Sequence, residues 1–239
     1  MLRERIDEGD RGAIGAELSM ASCGFCAPGR LGKTCPSVTE RYQTVHRRFQ
    51  AWREQGVMDA VLRGLARDLH ERGGLDLSEC FVDGSFSAAR PGGAKIGNTK
   101  RGKGCKIMAM ADAHGLPLAI HIEAAAPAEV KLVEATLAAR LVEEKPLRLI
   151  ADKAYDSDPL RERLLEEEIL LLAPHRRGRT KPSFNDGRWL RRYARRWKIE
   201  RLFAWLHNFR RLVVRWEYHA ENYLAFLQLG CAIILLRHL

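Results

Sequence analysis

Leu147-Arg148-Leu149-Ile150-Ala151-Asp152-Lys153-Ala154-Tyr155-Asp156 is the stretch that decides how this chain folds. Its first five residues form a mainly apolar run, too short for a helix and bounded as a buried strand is. The run ends on a carboxylate, Asp152, and a carboxylate at the end of a buried strand is costly unless it is paired or holds a metal. Taken singly, Asp152 also reads as a turn cap.

Outward from that strand the chain alternates between two periods. Residues 128–142 read as an amphipathic helix before it, and residues 159–168 as a helix after it. Residues 169–173 give a further strand, and a basic loop then leads to a long helix over about 189–211. Upstream, residues 80–87 form a strand, and residues 106–112 and 116–124 a hairpin around His114-Gly115. Val45, Phe49, Trp52, Val57, Val61, Leu62 and Leu65 recur at helical spacing, which predicts two helices broken near Gly56. The apolar segment 223–236 contains Gln228 and Gly230 and falls short of the roughly 20 residues of a membrane span, so it reads as a buried core helix. The string is therefore three strands, helix, strand, helix, strand, helix.

Composition limits the function classes. Hydrophobic residues make up 46% of the 239, which fits a globular chain, and the net charge of +10 favours a polyanionic partner. Residues 176–217 hold fourteen Lys or Arg against three acids, so this one stretch carries the excess. The first twenty residues contain acids and no apolar run, which argues against a secretory signal and for a cytoplasmic protein without a membrane partner. Six cysteines at irregular spacings define neither a disulfide framework nor a zinc site, and Cys23-x-x-Cys26 has no matching second pair.

Two further carboxylates stand out. Asp83 lies mid-strand in Phe81-Val82-Asp83-Gly84-Ser85, where an apolar residue would fit the pattern as well. Glu200 is one acid set in a basic helix, and steps of three, four and seven residues put Tyr193, Arg196, Glu200 and His207 on one stripe. A surface ion pair between Arg196 and Glu200 is the plainer reading of that helix. Adjacent parallel strands with a helix packed across them can bring Asp83, Asp152 and Glu200 to one point, and magnesium requires such oxygen ligands. Asp156, four residues past Asp152, is a rival ligand that more simply orders the loop or caps the next helix. His114, His121 and His175 form a site only if the fold gathers them. Gly97 to Gly104 resembles a P-loop but lacks the Ser or Thr and the following helix that phosphate binding needs.

These residues resemble the DDE transposases of bacterial insertion sequences, particularly the insertion sequence five branch. The likeness runs from about residue 41 to 239 through Val82-Asp83-Gly84-Ser85, Ala151-Asp152-Lys153-Ala154-Tyr155-Asp156, and Tyr193-x2-Arg196-x3-Glu200. The family signature continues to a Lys where this chain has His207, so His207 or Arg210 becomes the candidate for that contact. The resemblance implies an α/β, ribonuclease H-like catalytic domain over residues 76–239, with a mixed five-stranded sheet and flanking helices. A short helical segment over 41–75 precedes it. It implies Asp83, Asp152 and Glu200 as catalytic residues holding two Mg²⁺ ions, with Mn²⁺ able to substitute. The implied partners are DNA, as terminal inverted repeats and target site, and a second copy of the chain bound on it.

Lys95, Lys100, Arg101, Lys103 and Lys106 lie in a Gly-rich, acid-free stretch suited to a DNA backbone, and Arg191, Arg192, Tyr193, Arg195, Arg196, His207 and Arg210 extend the same expectation. Residues 1–40 fit no element, and the family's helical segment is missing there. With suitable codons, residues 20–39 read in another register give a Trp-Val-Leu-Arg-Thr-Gly-Ala-Pro-Trp run like the missing segment. This suggests a shifted reading frame, and with it the alternative of a DNA-binding relic without activity.

Overall fold

The computed structural model describes residues 42–179 and 187–239; the segment read as frame-shifted, with Cys23, Cys26 and Cys35, lies outside them. Two helices come first, α1 (Tyr42–Glu54) and α2 (Val57–Glu71), hinged where expected at Gly56, whose φ of 70° suits glycine.

Among the described residues a seven-stranded mixed sheet follows. Strand β1 (Cys80–Ala89) pairs antiparallel with β3 (Gly102–Ala111), which pairs antiparallel with β4 (Pro117–Ala124). On its other side β1 runs parallel to β5 (Arg148–Ile150), and β5 parallel to β6 (Leu170–Leu172). These are the five strands the periodicity predicts. The sequence reading missed two short ones: β2 (Gly97–Thr99), which makes a hairpin with β3, and β7 (Val214–Arg215), which lies parallel to the end of β1.

Helical expectations needed more correction. The helix expected over 128–142 is a 3-10 turn, Glu129–Lys131, followed by a short α3 (Val133–Ala138). Past Ala138 the chain turns to the exposed edge of β4, where the Leu141 amide donates to the Leu118 carbonyl, so strand-edge bonding wins over helix propagation. Helix α4 (Asp158–Glu166) starts on a Ser157 cap. The single helix expected from 189 to 211 is four pieces: α5 (Gly187–Leu190), a 3-10 segment (Arg191–Arg196), α6 (Trp197–His207) and α7 (Arg210–Val213). No glycine or proline marks those breaks. The C-terminal helix α8 (Ala220–Leu236) is buried along most of its length, and no described helix is long and apolar enough to cross a membrane.

One core unites these layers. Phe81, Ile107, Met108, Met110, Leu118, Leu149 and Ile150 fill the sheet, and Ile199, Leu202, Leu206, Tyr223 and Leu227 close it from α6 and α8. The described cysteines, Cys80, Cys105 and Cys231, are buried and free.

Candidate active site

Register brings the first two carboxylates together. In the parallel pair β1 and β5, Phe81 stands opposite Ile150, so two residues further on Asp83 and Asp152 leave the same edge side by side. Asp152 sits just past the end of β5, where its carboxylate caps the 3-10 turn Lys153–Tyr155 by accepting from the Ala154 amide. Asp83 accepts from the Gly84 amide at 2.9 Å.

The third carboxylate arrives with the helix that crosses them. Glu79, almost fully buried just before β1, is held by Arg195 at 2.6 Å and by Arg192. This clamp docks the 3-10 segment beside β1, and four residues past Glu79 on one side and past Arg192 on the other, Asp83 meets Arg196. The Arg196 guanidinium lies 2.6 Å from Asp83, 3.5 Å from Asp152 and 3.5 Å from Glu200. Asp83, Asp152 and Glu200 thus converge on one cation. Burial raises the Asp83 carboxyl to about 6 against the pull of Arg196, and the nearby charges of Glu129 and Asp152 add to the rise.

A fourth acid stands beside this group, and no motif announced it. Glu129 lies over Gly84, where a β-carbon would come within 2.7 Å of the Glu129 side chain, so a larger residue after Asp83 would displace that carboxylate. Its carboxylate accepts from the Tyr155 hydroxyl at 3.1 Å and faces Lys106 at 3.6 Å. Burial, then the charges of Glu129, Asp83 and Asp152, push the Tyr155 hydroxyl far above its ordinary range, so it stays a proton donor. Tyr155 belongs to the opening motif, three residues past Asp152, and the turn between them aims it back at the site.

Among the described residues no three His, Cys, Asp or Glu side chains stand at metal-ligand spacing, and the three acids meet around a guanidinium instead. The donor set itself, carboxylate oxygens in excess over one cation, fits hard divalent ions such as Mg²⁺.

Other candidates fall elsewhere. Asp156 binds Arg161 at 2.7 Å, Arg179 at 3.0 Å and His175 at 3.2 Å. Burial opposes its ionisation, but the Arg176 amide and the Arg161 guanidinium hold its carboxyl down at about 2. It fastens the loop after β6 and does not reach Arg196. His114 pairs with Asp112 in the β3–β4 turn and His121 lies within β4, so the histidines are not gathered. His207 stacks near Phe203 two turns beyond Glu200, and Arg210 is exposed at the start of α7. Tyr193 lies under Arg196, ring centroid to guanidinium 5.8 Å. Arg191 is exposed. Lys100, Arg101 and Lys103 are exposed at the β2–β3 turn, whereas Lys95 donates to the Ile122 carbonyl and Lys106 to that of Pro127.

The family described as Transposase DDE domain matches residues 75–235. A Burkholderia cepacia protein, whose name assigns it as a transposase for insertion sequence element IS402, is 36% identical over 139 residues. That match covers 55% of this chain and 62% of the relative's length. Among solved structures, the piggyBac transposase synaptic complex with hairpin DNA aligns at 14% identity and a TM-score of 0.44, over 66% of this chain and 45% of that one.

Proposed function

The chain belongs to the DDE transposases of bacterial insertion sequences, and from that membership we propose that it cuts and joins DNA at a centre formed by Asp83, Asp152 and Glu200. One observation carries the reading: a single guanidinium, Arg196, lies within 3.5 Å of carboxylates from three separate elements. A sheet running β4-β3-β1-β5-β6, with Asp83 within its central strand and Asp152 just past the neighbouring β5, supports assigning the domain as ribonuclease H-like.

The three carboxylates would hold two Mg²⁺ or Mn²⁺ ions. When bound, such ions lower the pKa of water and neutralise charge on the phosphodiester. The chain's own part is positioning. Asp83 and Asp152 are fixed by strand register and by amide donors, so they keep their spacing through the reaction. Glu200 is presented by α6, which the Glu79 clamp docks. Arg196, which lies among the three acids, would bind a phosphate oxygen of the DNA were those acids to hold metal ions instead. Water's oxygen forms a bond to phosphorus at the element's end while the bond to the 3′-oxygen breaks, and that oxygen leaves as a hydroxyl. The freed 3′-hydroxyl then attacks a target phosphodiester, one bond forming as another breaks. Because two element ends are joined in one event, the working form is a homodimer on terminal inverted repeats and target DNA.

Asp83→Asn, Asp152→Asn and Glu200→Gln each remove a charge and keep the shape. Each is expected to abolish Mg²⁺-dependent nicking of element-end DNA while nonspecific DNA binding persists. A variant that nicks at the wild-type rate removes its residue from the centre; if all three do so, the enzyme reading fails and a DNA-binding relic remains.

A further inference from the structure

Residues 214–218 reverse the usual order of burial. Arg215 is 0% and Glu217 7% exposed, whereas Trp216 is 46% and Tyr218 62% exposed. Chains bury rings and solvate charges, so buried charges beside exposed aromatics call for an explanation. The inward charges are well satisfied. Arg215 donates to the carbonyls of Glu217 at 3.0 Å and Tyr218 at 2.9 Å, and Glu217 pairs with Arg211 at 2.6 Å. They brace the backbone from beneath and leave both rings exposed to solvent.

The surroundings select the kind of partner. Arg90 lies over the Trp216 ring at 5.5 Å, and its amide donates to the Arg215 carbonyl at 3.0 Å. Arg215 also reaches the Lys95 carbonyl at 3.4 Å, so the basic loop leading to Lys100, Arg101 and Lys103 is tied to this same segment. His219 meets Tyr218 edge-on at 5.4 Å. Flat rings next to fixed cations suit a flat, polyanionic ligand, and aromatic side chains stack on nucleobases whatever their identity. A paired base is already stacked on both faces, so the base must be unpaired.

We propose that Trp216 and Tyr218 form a stacking platform for an unpaired nucleobase of the DNA substrate, a proposal that rests on the DNA-transposase reading. Arg215 pairs with Ala89, six residues along β1 from Asp83, which puts the platform roughly 20 Å from the candidate centre. It therefore grips a base away from the phosphate that is cut.

The test uses the full chain and two oligonucleotides carrying 2-aminopurine, one in a single-stranded overhang on a duplex and one paired within the same duplex. Wild-type protein should quench the overhang fluorophore and leave the paired one unchanged. Trp216→Ala and Tyr218→Ala should each weaken overhang binding about fivefold or more, with duplex affinity held within about twofold. Trp216→Phe should retain most of the quenching. Wild-type binding to duplex with no preference for the overhang overturns the platform alone, as does a Trp216→Ala variant that turns a dimer into a monomer in sedimentation, because the rings then serve contact between copies. A wild-type chain that binds neither oligonucleotide overturns the DNA reading with it.

Discussion

Asp83 illustrates what a single buried acid costs. Burial, against the pull of Arg196, sets its carboxyl at about 6, above the 3.8 of the free group. Its contribution to stability is present below about pH 4 and is lost as pH rises through about 6, where the folded protein must carry the buried charge. That difference amounts to roughly 3 kcal/mol. Asp83→Asn should therefore raise the thermal midpoint in metal-free buffer at about pH 8 and have no effect below about pH 4. Calorimetry decides it: a lower midpoint at pH 8 means that pairing with Arg196 outweighs burial. Asp83, Asp152 and Glu200 stood out as candidates in the sequence because one sits mid-strand where an apolar residue would fit, one ends an apolar run and one is set in a basic helix. Glu129 and Glu79 did not, since each is an ordinary acid until the fold brings it to Gly84 or to Arg192 and Arg195.

Residues 189–211, α6 included, read in the sequence as one long basic helix, and the structure gives part of the charge before α6 a different use. Arg192 and Arg195 are bound to Glu79, about 115 residues earlier, where local sequence reasoning cannot look. Removing both guanidiniums leaves a buried carboxylate unpaired, at a cost on the order of 3 kcal/mol. Arg192→Ala with Arg195→Ala should thus lower the urea midpoint markedly as well as touch DNA binding. In contrast, Lys100, Arg101 and Lys103 are exposed at a hairpin tip. Replacing all three by Ala should keep stability and flatten the slope of log affinity against log salt by roughly 2 to 3. An unchanged slope would move the DNA path off the hairpin. The same contrast explains which elements were predictable. Strands β1, β3, β4, β5 and β6 announce themselves by apolar runs, while the breaks around Arg191–Arg196 and at Phe209 follow from docking against β1 and α8, with no glycine or proline to mark them.

Across the whole molecule, the last fifty residues complete what the first strands begin. Ile199, Leu202, Leu206, Leu212, Tyr223 and Leu227 close the core, and the same stretch supplies both Glu200 and Arg196. A chain ending at residue 186 should accordingly lose cooperative unfolding, and hydrogen exchange should find β1 and β5 unprotected; a sharp transition in that fragment would show that the sheet stands by itself. The sequence marks the C-terminal segment as a buried core helix, but not which strands it closes. That dependence also bears on how the protein is made. Synthesis proceeds from the amino terminus, so Asp83 and Asp152 are both made before the cation that lies between them in the fold. Their counter-ion is encoded 44 residues after the second of them. Until Arg196 emerges the two acids lack the guanidinium that lies among all three carboxylates, so the centre cannot be completed before the last fifty residues are made.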